Sequence, residues 1–133
     1  MEHPAFVAES EEGRLLGVLT YVPDETGRQC EILTLHTTEQ WHGTGTALIE
    51  AMERWAAEHG IDRLWLITTN DNVDAVRFYQ RRGFRLAALH RDAVTESRAR
   101  LKPEIPLTGE YGIPIRDELE LDRSLGDAGW RDR

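Results

Sequence analysis

The stretch "QWHGTGT" (residues 40–46) places two glycines and two threonines between a β-type run and a helix-type run. A helix N-terminus has unpaired N–H groups and a partial positive charge. Glycines just before it, here Gly43 and Gly45, let the backbone approach a bulky anion closely. The stretch is therefore a candidate backbone cradle for a phosphate or pyrophosphate, although glycine pairs also occur in plain turns.

Two common phosphate-binding motifs do not fit this stretch. A P-loop requires a lysine directly after its second glycine, and no lysine follows here. A dinucleotide fingerprint requires a third glycine, where this chain has Leu48. A cradle made of backbone N–H groups needs no basic side chain, so an acidic protein can still hold an anionic ligand.

The runs around the glycines predict a mixed α/β sheet. Three strand candidates joined by short turns come first, which is typical of an antiparallel meander. The runs are strands over 5–10, 14–22 and 29–36, a helix over 47–60, a strand over 62–69, a helix over 73–82, a strand over 84–90, a segment over 91–102 that fits a helix, a loop over 103–114 and a strand over 116–122. Helices alternate with strands only in the middle of the chain, so the expected fold class is α/β.

Composition limits the possible classes of protein. The net charge is −8, from 24 acidic and 16 basic residues, which argues against general nucleic-acid binding. Cys30 is the only cysteine, so an intrachain disulfide and a cysteine-based zinc site are excluded. The five histidines show no metal-ligand spacing, so no metal is expected. Without a run of ~20 apolar residues or a signal peptide, we expect a cytoplasmic protein with no membrane partner. One domain over 1–125 and a flexible tail over 126–133 are expected.

Two sequence blocks resemble the GNAT superfamily of N-acetyltransferases. Gln40-x-x-Gly43-x-Gly45 is similar to the family's acyl-CoA motif, Arg/Gln-x-x-Gly-x-Gly/Ala. "NVDAVRFYQRRGF" is similar to its Asn-x-x-Ala-x-x-Phe-Tyr-x-x-x-Gly-Phe block, with matches at Asn72, Ala75, Phe78, Tyr79, Gly83 and Phe84. The blocks stand in the family's order, with a helix and a strand between them. The resemblance implies a GNAT-like acyl-CoA N-acyltransferase fold that transfers an acetyl or other short acyl group from acyl-CoA to an amine.

The resemblance also implies where acyl-CoA binds. In GNAT folds two neighbouring strands separate, and the pantetheine arm bonds to the main chain of the first strand, here at Leu33, Thr34 and Leu35. The pyrophosphate would bind to the glycine-rich stretch, which consists of Gln40, Trp41, His42, Gly43, Thr44, Gly45 and Thr46. Asn72 would lie near the pantetheine arm, and it is equally a candidate helix N-cap.

Tyr79 is the candidate catalytic acid, because the resemblance points this tyrosine at the thioester sulfur. A phenol with a pKa of about 10 can protonate the departing CoA thiolate. Glu31 is the candidate base that the resemblance implies. Other possible bases are His36 on the same strand, Glu104 or Glu110 from the late loop, and a water relay with no single base.

One departure from the family concerns the N-terminus. GNAT domains usually begin with a strand and two helices before the strand that here contains Phe6, so an N-terminally truncated domain is expected. The chain could have an open pocket, be completed by another chain, or be a non-catalytic acyl-CoA-binding or assembly subunit. The unpaired first strand predicts a homodimer or a partner-completed complex. The competing expectation is a monomer in which residues 91–114 cover the gap.

Overall fold

The computed structural model describes residues 3–38 and 43–125. The strands are β1 (Ala5–Glu9), β2 (Leu15–Pro23), β3 (Gln29–Thr37), β4 (Arg63–Thr69), β5 (Arg85–His90) and β6 (Glu118–Ser124). The helices are α1 (Thr44–Glu58), α2 (Val73–Arg81) and α3 (Ala93–Arg100), and Glu110–Gly112 form a short 3-10 turn. The predicted mixed α/β fold is confirmed, and the segment after β5 that fitted a helix forms α3.

The six strands form one mixed sheet in the order β1-β2-β3-β4-β6-β5. The first three strands pair antiparallel, as the predicted meander requires, β3 and β4 pair in parallel, and β5 pairs antiparallel with β6. The chain divides into two compact units, one comprising Met1–Trp65 and Ser124–Arg133 and the other Leu66–Arg123. Strand β4 begins in unit 1 and ends in unit 2. The domain boundaries expected from the sequence stay a prediction, and the tail over 126–133 lies outside the described residues.

In unit 1, α1 packs against β1, β2 and β3. Its apolar residues recur at helical spacing, so one face of the helix is buried while the other carries charged side chains. The buried residues are Leu48, Ile49, Met52 and Ala56 on the helix, and Leu19, Tyr21, Cys30, Ile32 and Leu64 on the strands. Burying each large aliphatic side chain stabilises the fold by about 1.5–3 kcal/mol. Packing of this face therefore fixes α1 on the sheet.

Gly17 in β2 allows the start of α1 to lie close to the sheet. A Cβ atom at this position would be 3.0 Å from Cγ2 of Thr44 and 3.1 Å from Cδ1 of Leu48. It would also be 3.0 Å from the carbonyl oxygen of His36 on β3. The missing side chain of Gly17 therefore positions the first turn of α1 over the end of β3.

In unit 2, α2 packs against β5, and the buried rings of Tyr79 and Phe84 are in contact. A long segment connects α3 to β6, and side chains of neighbouring elements hold it. Arg98 donates hydrogen bonds to the carbonyl oxygens of Ile105, Pro106 and Ile115. Within the described ranges, no helix is both long and apolar enough to cross a membrane.

Candidate active site

Gly43 is the N-cap of α1, and its backbone is left-handed with φ 79° and ψ −3°. A Cβ atom here would meet nothing within 4 Å, so the positive φ rather than crowding favours glycine. The carbonyl oxygen of Gly43 accepts the first helical bond, from the N–H of Ala47 at 3.0 Å.

Gly43 has no side chain that could cap the helix, and the first turn carries no acidic residue. This turn contains Thr44, Gly45 and Thr46. The helix dipole therefore gives this end a positive potential with no carboxylate in the turn to offset it. The predicted cradle residues Gln40, Trp41 and His42 lie outside the described residues.

The pairing of β3 with β4 ends early. Only three residue pairs are in register, and the last of them is Glu31 with Trp65. Strand β3 continues to Thr37 and pairs with β2 along its other edge. Backbone groups of β3 beyond Glu31 that point away from β2 thus lie outside the β4 register. The residues expected to bind pantetheine, Leu33, Thr34 and Leu35, follow the last of these pairs along β3.

A β-bulge distorts β3 at the residues expected to bind pantetheine. Thr34 pairs with Thr20 and Ile32 pairs with Tyr21, so Leu33 is the extra residue between them. A bulge redirects the local backbone groups and breaks the regular ladder. The sequence does not reveal this bulge, because its only sign is a register between distant residues.

Glu31 and His36 lie on the same face of the unit 1 sheet. Buried Cys30 and Ile32 point towards α1. Because side chains alternate along a strand, Glu31 lies on the opposite face, the open face of the unit 1 sheet. After the bulge, His36 pairs with Val18 and is exposed on this open face. The structure therefore brings two of the predicted bases to one surface.

Three other groups of residues on or beside β3 differ in the chemistry that they offer. The hydroxyls of Thr20 and Thr34 are hydrogen-bonded at 2.7 Å on this face. Arg63 extends over the Trp65 ring, 5.7 Å from its centroid, and donates to the side chain of Gln29. Cys30 faces the core, and burial raises the pKa of its thiol to about 11, so it does not supply a thiolate nucleophile near neutral pH.

Tyr79 lies in the core of unit 2 with 7% of its surface exposed. Its ring meets Phe78 and Phe84 edge-on, with centroids 5.2 and 5.4 Å away. Among the described residues, its hydroxyl has no hydrogen-bond partner. Burial raises the pKa of Tyr79 to about 12, so the phenol stays protonated across the physiological range. At neutral pH the hydroxyl therefore holds its proton and does not act as a base.

Asn72 is the N-cap of α2. Its side-chain oxygen accepts from the N–H of Ala75 at 3.4 Å, and its amide nitrogen donates to the Thr68 hydroxyl at 3.0 Å. The N-cap alternative drawn from the sequence is therefore confirmed. A contact between Asn72 and pantetheine stays a prediction.

The late-loop carboxylates Glu104 and Glu110 are both exposed. The backbone N–H of Glu110 bonds to Asp71, which orients the turn without using the Glu110 side chain. Within residues 3–38 and 43–125, no group of three or more His, Cys, Asp or Glu side chains is arranged to hold a metal ion.

Comparison with known proteins decides the family. The model of the acetyltransferase (GNAT) family matches residues 1–84, which include the α1 N-terminus, Asn72 and Tyr79. The chain belongs to the GNAT acetyltransferase family. It is accordingly an acetyl-CoA-dependent N-acetyltransferase, as the resemblance implied.

The chain is also similar to individual proteins and solved structures. The uncharacterized protein YdhI of Bacillus subtilis is 47% identical over 124 residues, which are 93% of this chain and 76% of YdhI. An IAA acetyltransferase from Bacillus cereus is 25% identical, with a TM-score of 0.76 over 91% of this chain and 77% of that one. A Bacillus subtilis acetyltransferase solved in complex with CoA is 24% identical, with a TM-score of 0.78, and covers 91% and 76% of the two chains. At that identity the last likeness concerns the fold.

Proposed function

We propose that this protein transfers an acetyl or other short acyl group from acyl-CoA to the amine of an acceptor, with Tyr79 as the proton donor. The observation that carries the proposal is the Tyr79 hydroxyl, which belongs to a buried ring and has no partner among the described residues. Its raised pKa keeps the proton on the hydroxyl near neutral pH. The phenol is therefore protonated when the thiolate leaves, and proton donation would accompany the breaking of the C–S bond.

The reaction has a simple balance of bonds and protons. The neutral amine attacks the thioester carbonyl carbon, a C–N bond forms, and the C–S bond then breaks. The sulfur leaves with the electron pair and takes the proton of the Tyr79 hydroxyl. The amine nitrogen loses its own proton to a base, which completes the exchange. Tyr79 regains a proton from solvent before the next turnover.

For the base we favour Glu31. It is half-buried, lies on the open face of the unit 1 sheet, and occupies the last β3 position still paired with β4. A carboxylate there would be next to the stretch of β3 proposed to bind the pantetheine arm. Mutation can separate the alternatives, which are His36 on the same face, Glu104, Glu110 and a water relay.

We propose that the acyl-CoA uses backbone groups of unit 1. The pyrophosphate would accept from N–H groups at residues 41–46, next to the uncapped and left-handed Gly43. The pantetheine arm would bond to the main chain of Leu33, Thr34 and Leu35, where the bulge interrupts the ladder. Both sites need no lysine or arginine, in keeping with a net charge of −8.

The decisive experiment is release of free CoA thiol from acetyl-CoA, with and without a pooled set of amines. The pool contains small-molecule metabolites, peptides with free N-termini, and aminoglycoside antibiotics. We expect amine-dependent thiol release that Tyr79→Phe suppresses. Saturable CoA binding without thiol release from any pool would favour the alternative, a non-catalytic acyl-CoA-binding or assembly subunit.

We further propose that β1 mediates association, either with a second copy or with a partner chain. It is an edge strand that pairs only with β2 among the described strands, and its Val7 is 57% exposed. Neighbouring Leu15 is 50% exposed. Unpaired edges with apolar side chains tend to be covered or paired.

A further inference from the structure

The outer edge of β1 presents main-chain groups that another strand can bind. The N–H of Tyr21 donates to the carbonyl oxygen of Pro4 at 3.1 Å, so this carbonyl faces β2. Main-chain groups alternate along an antiparallel strand, so those of Phe6 also face β2, whereas those of Ala5 and Val7 face away from it. Among the described strands, β1 pairs with β2 alone. The outward N–H and C=O groups therefore form an edge to which a further strand can be added.

The features that keep a strand edge from pairing are sparse on β1. Charged side chains, prolines and bulges on an edge strand discourage pairing. Glu9 is the one charged residue of β1, and it stands at the end of the strand. Pro4 faces β2, so the N–H that proline lacks is not missing from the outer edge. The opposite edge strand differs, because β5 has a bulge at its own Ala87 and carries Arg85 and His90 at its two ends. Of the two edges, β1 is the one that is open to pairing.

Two copies of β1 are complementary when they run antiparallel and Val7 faces its own counterpart. In this register all five residues of Ala5–Glu9 take part in the pairing. Phe6 of each copy then faces Ala8 of the other, so a large side chain meets a small one at both ends of the contact. The strand is therefore self-complementary in shape in the register that pairs its whole length.

Charge favours the same register. Glu9 of each copy faces Ala5 of the other, so the two glutamates are four residues apart, about 14 Å along the strands. This distance exceeds the Debye length of about 8 Å at physiological ionic strength, so their repulsion is largely screened. Centring the pair on Ala8 instead would bring the two carboxylates to about 7 Å along the strands, where like charges destabilise a sheet.

The side chains along this edge are apolar on both faces of the sheet. On the open face, Val7 is 57% exposed and is paired with Val18 of β2. With a second copy in place, four valines would form a row across four strands. On the other face, Phe6 stacks on Tyr21 with ring centroids 5.3 Å apart and meets Trp55 edge-on at 6.5 Å. Both rows would lose exposed apolar surface in the pair.

We propose that β1 pairs antiparallel with β1 of a second copy, about a two-fold axis that passes beside Val7 and joins the two unit 1 sheets edge to edge. This inference rests on the proposed association through β1, and it names the partner and the register. The axis is perpendicular to the sheet, so the two open faces lie on the same side. Both copies of Glu31 and His36 then belong to one continuous surface.

Cysteine cross-linking tests this register directly. Val7 and its counterpart would form a hydrogen-bonded antiparallel pair with Cα atoms about 5.5 Å apart, within the range of about 4.4–6.8 Å that a disulfide spans. We expect Val7→Cys, oxidised with copper phenanthroline, to give a disulfide-linked dimer on a non-reducing gel. The wild type is the background control, because Cys30 is buried and burial raises the pKa of its thiol to about 11.

Ala5→Cys is the matched control, because Ala5 is exposed on the same strand and the same face. Its counterpart is four residues away, about 14 Å along the strands, so its cross-link should form at least about ten-fold more slowly than that of Val7→Cys. A mixture of Ala5→Cys with Glu9→Cys should cross-link rapidly again, since these two positions face each other.

A monomer mass for the wild type in light scattering at micromolar concentration would overturn the proposal. Equal cross-linking rates for Val7→Cys and Ala5→Cys would overturn it as well. A dimer mass without rapid cross-linking of Val7→Cys would overturn the register and leave the association through β1. Free CoA thiol, measured on the same samples, keeps the two questions apart. Amine-dependent thiol release by a monomer would leave the proposed transfer intact, whereas a rapidly cross-linked Val7→Cys dimer that releases no thiol with any amine would retain the interface and remove the transfer.

Discussion

Replacing Tyr79 with phenylalanine removes one oxygen atom from the core of unit 2 and leaves the ring in place. The edge-on contacts with Phe78 and Phe84 are kept, and no hydrogen bond within the described residues is lost. We therefore expect the free energy of unfolding at neutral pH to change by less than about 1 kcal/mol. A loss of activity in this variant would then report on chemistry rather than on folding.

Turnover should fall by roughly 10²-fold or more, because the thiolate would leave without a positioned proton donor. That factor corresponds to about 2.7 kcal/mol of activation free energy. The affinity for acetyl-CoA, measured by calorimetry, should stay the same, since the hydroxyl is proposed to act only as the C–S bond breaks. The assay is continuous detection of free CoA thiol, with single-turnover measurements to isolate the chemical step. Unchanged turnover where chemistry limits the rate would refute the proton-donor role.

The same substitution has a pH signature in stability. Burial raises the Tyr79 pKa to about 12 in the folded protein, against about 10 when unfolded. The folded state thus keeps this proton at pH values where the unfolded state has lost it. The contribution of this group to the free energy of unfolding is fully present below about pH 10. It is lost as the pH rises through about 12, by about 3 kcal/mol in total. In urea unfolding measured against pH, Tyr79→Phe should not show this part of the loss of stability at alkaline pH. An equal fall in the free energy of unfolding with pH in both proteins would contradict the burial argument.

Four further predictions concern other parts of the chain. Gly45→Val should abolish CoA binding in calorimetry with little loss of stability, because its side chain would stand in the backbone cradle; unchanged affinity would put the site elsewhere. Gly17→Ala should lower the free energy of unfolding by about 1–3 kcal/mol, since the added methyl meets α1 and β3 at 3.0–3.1 Å; an unchanged urea midpoint would mean that the neighbours give way freely. Glu31→Gln should reduce kcat/KM by roughly 10²-fold at constant CoA affinity, and a larger loss in His36→Gln would transfer the role of base to that residue. Light scattering should give a dimer mass at micromolar concentration that Val7→Lys reduces to a monomer, whereas a monomer in both proteins would exclude association through β1.

The elements of this fold are largely predictable from the sequence, because their signals are local. Three short strand runs, the amphipathic α1 and the apolar β4 each follow from the spacing of side chains within a few residues. The blocks around Gly43 and Tyr79 are local too. A glycine pair before a helix, and a tyrosine within the next helix, can be recognised from the order of residues alone.

The tertiary structure alone decides what depends on the pairing of distant residues. The bulge at Leu33 and the end of the β3–β4 register at Glu31 follow from alignment with β2 and β4, which no local pattern encodes. The burial of Tyr79 and its raised pKa depend on packing against residues of other elements. The orientation of Tyr111 likewise depends on Asp74, 37 positions earlier in the chain. The sequence by itself therefore determined which residues are candidates for chemistry, whereas packing and register decided the environment of each.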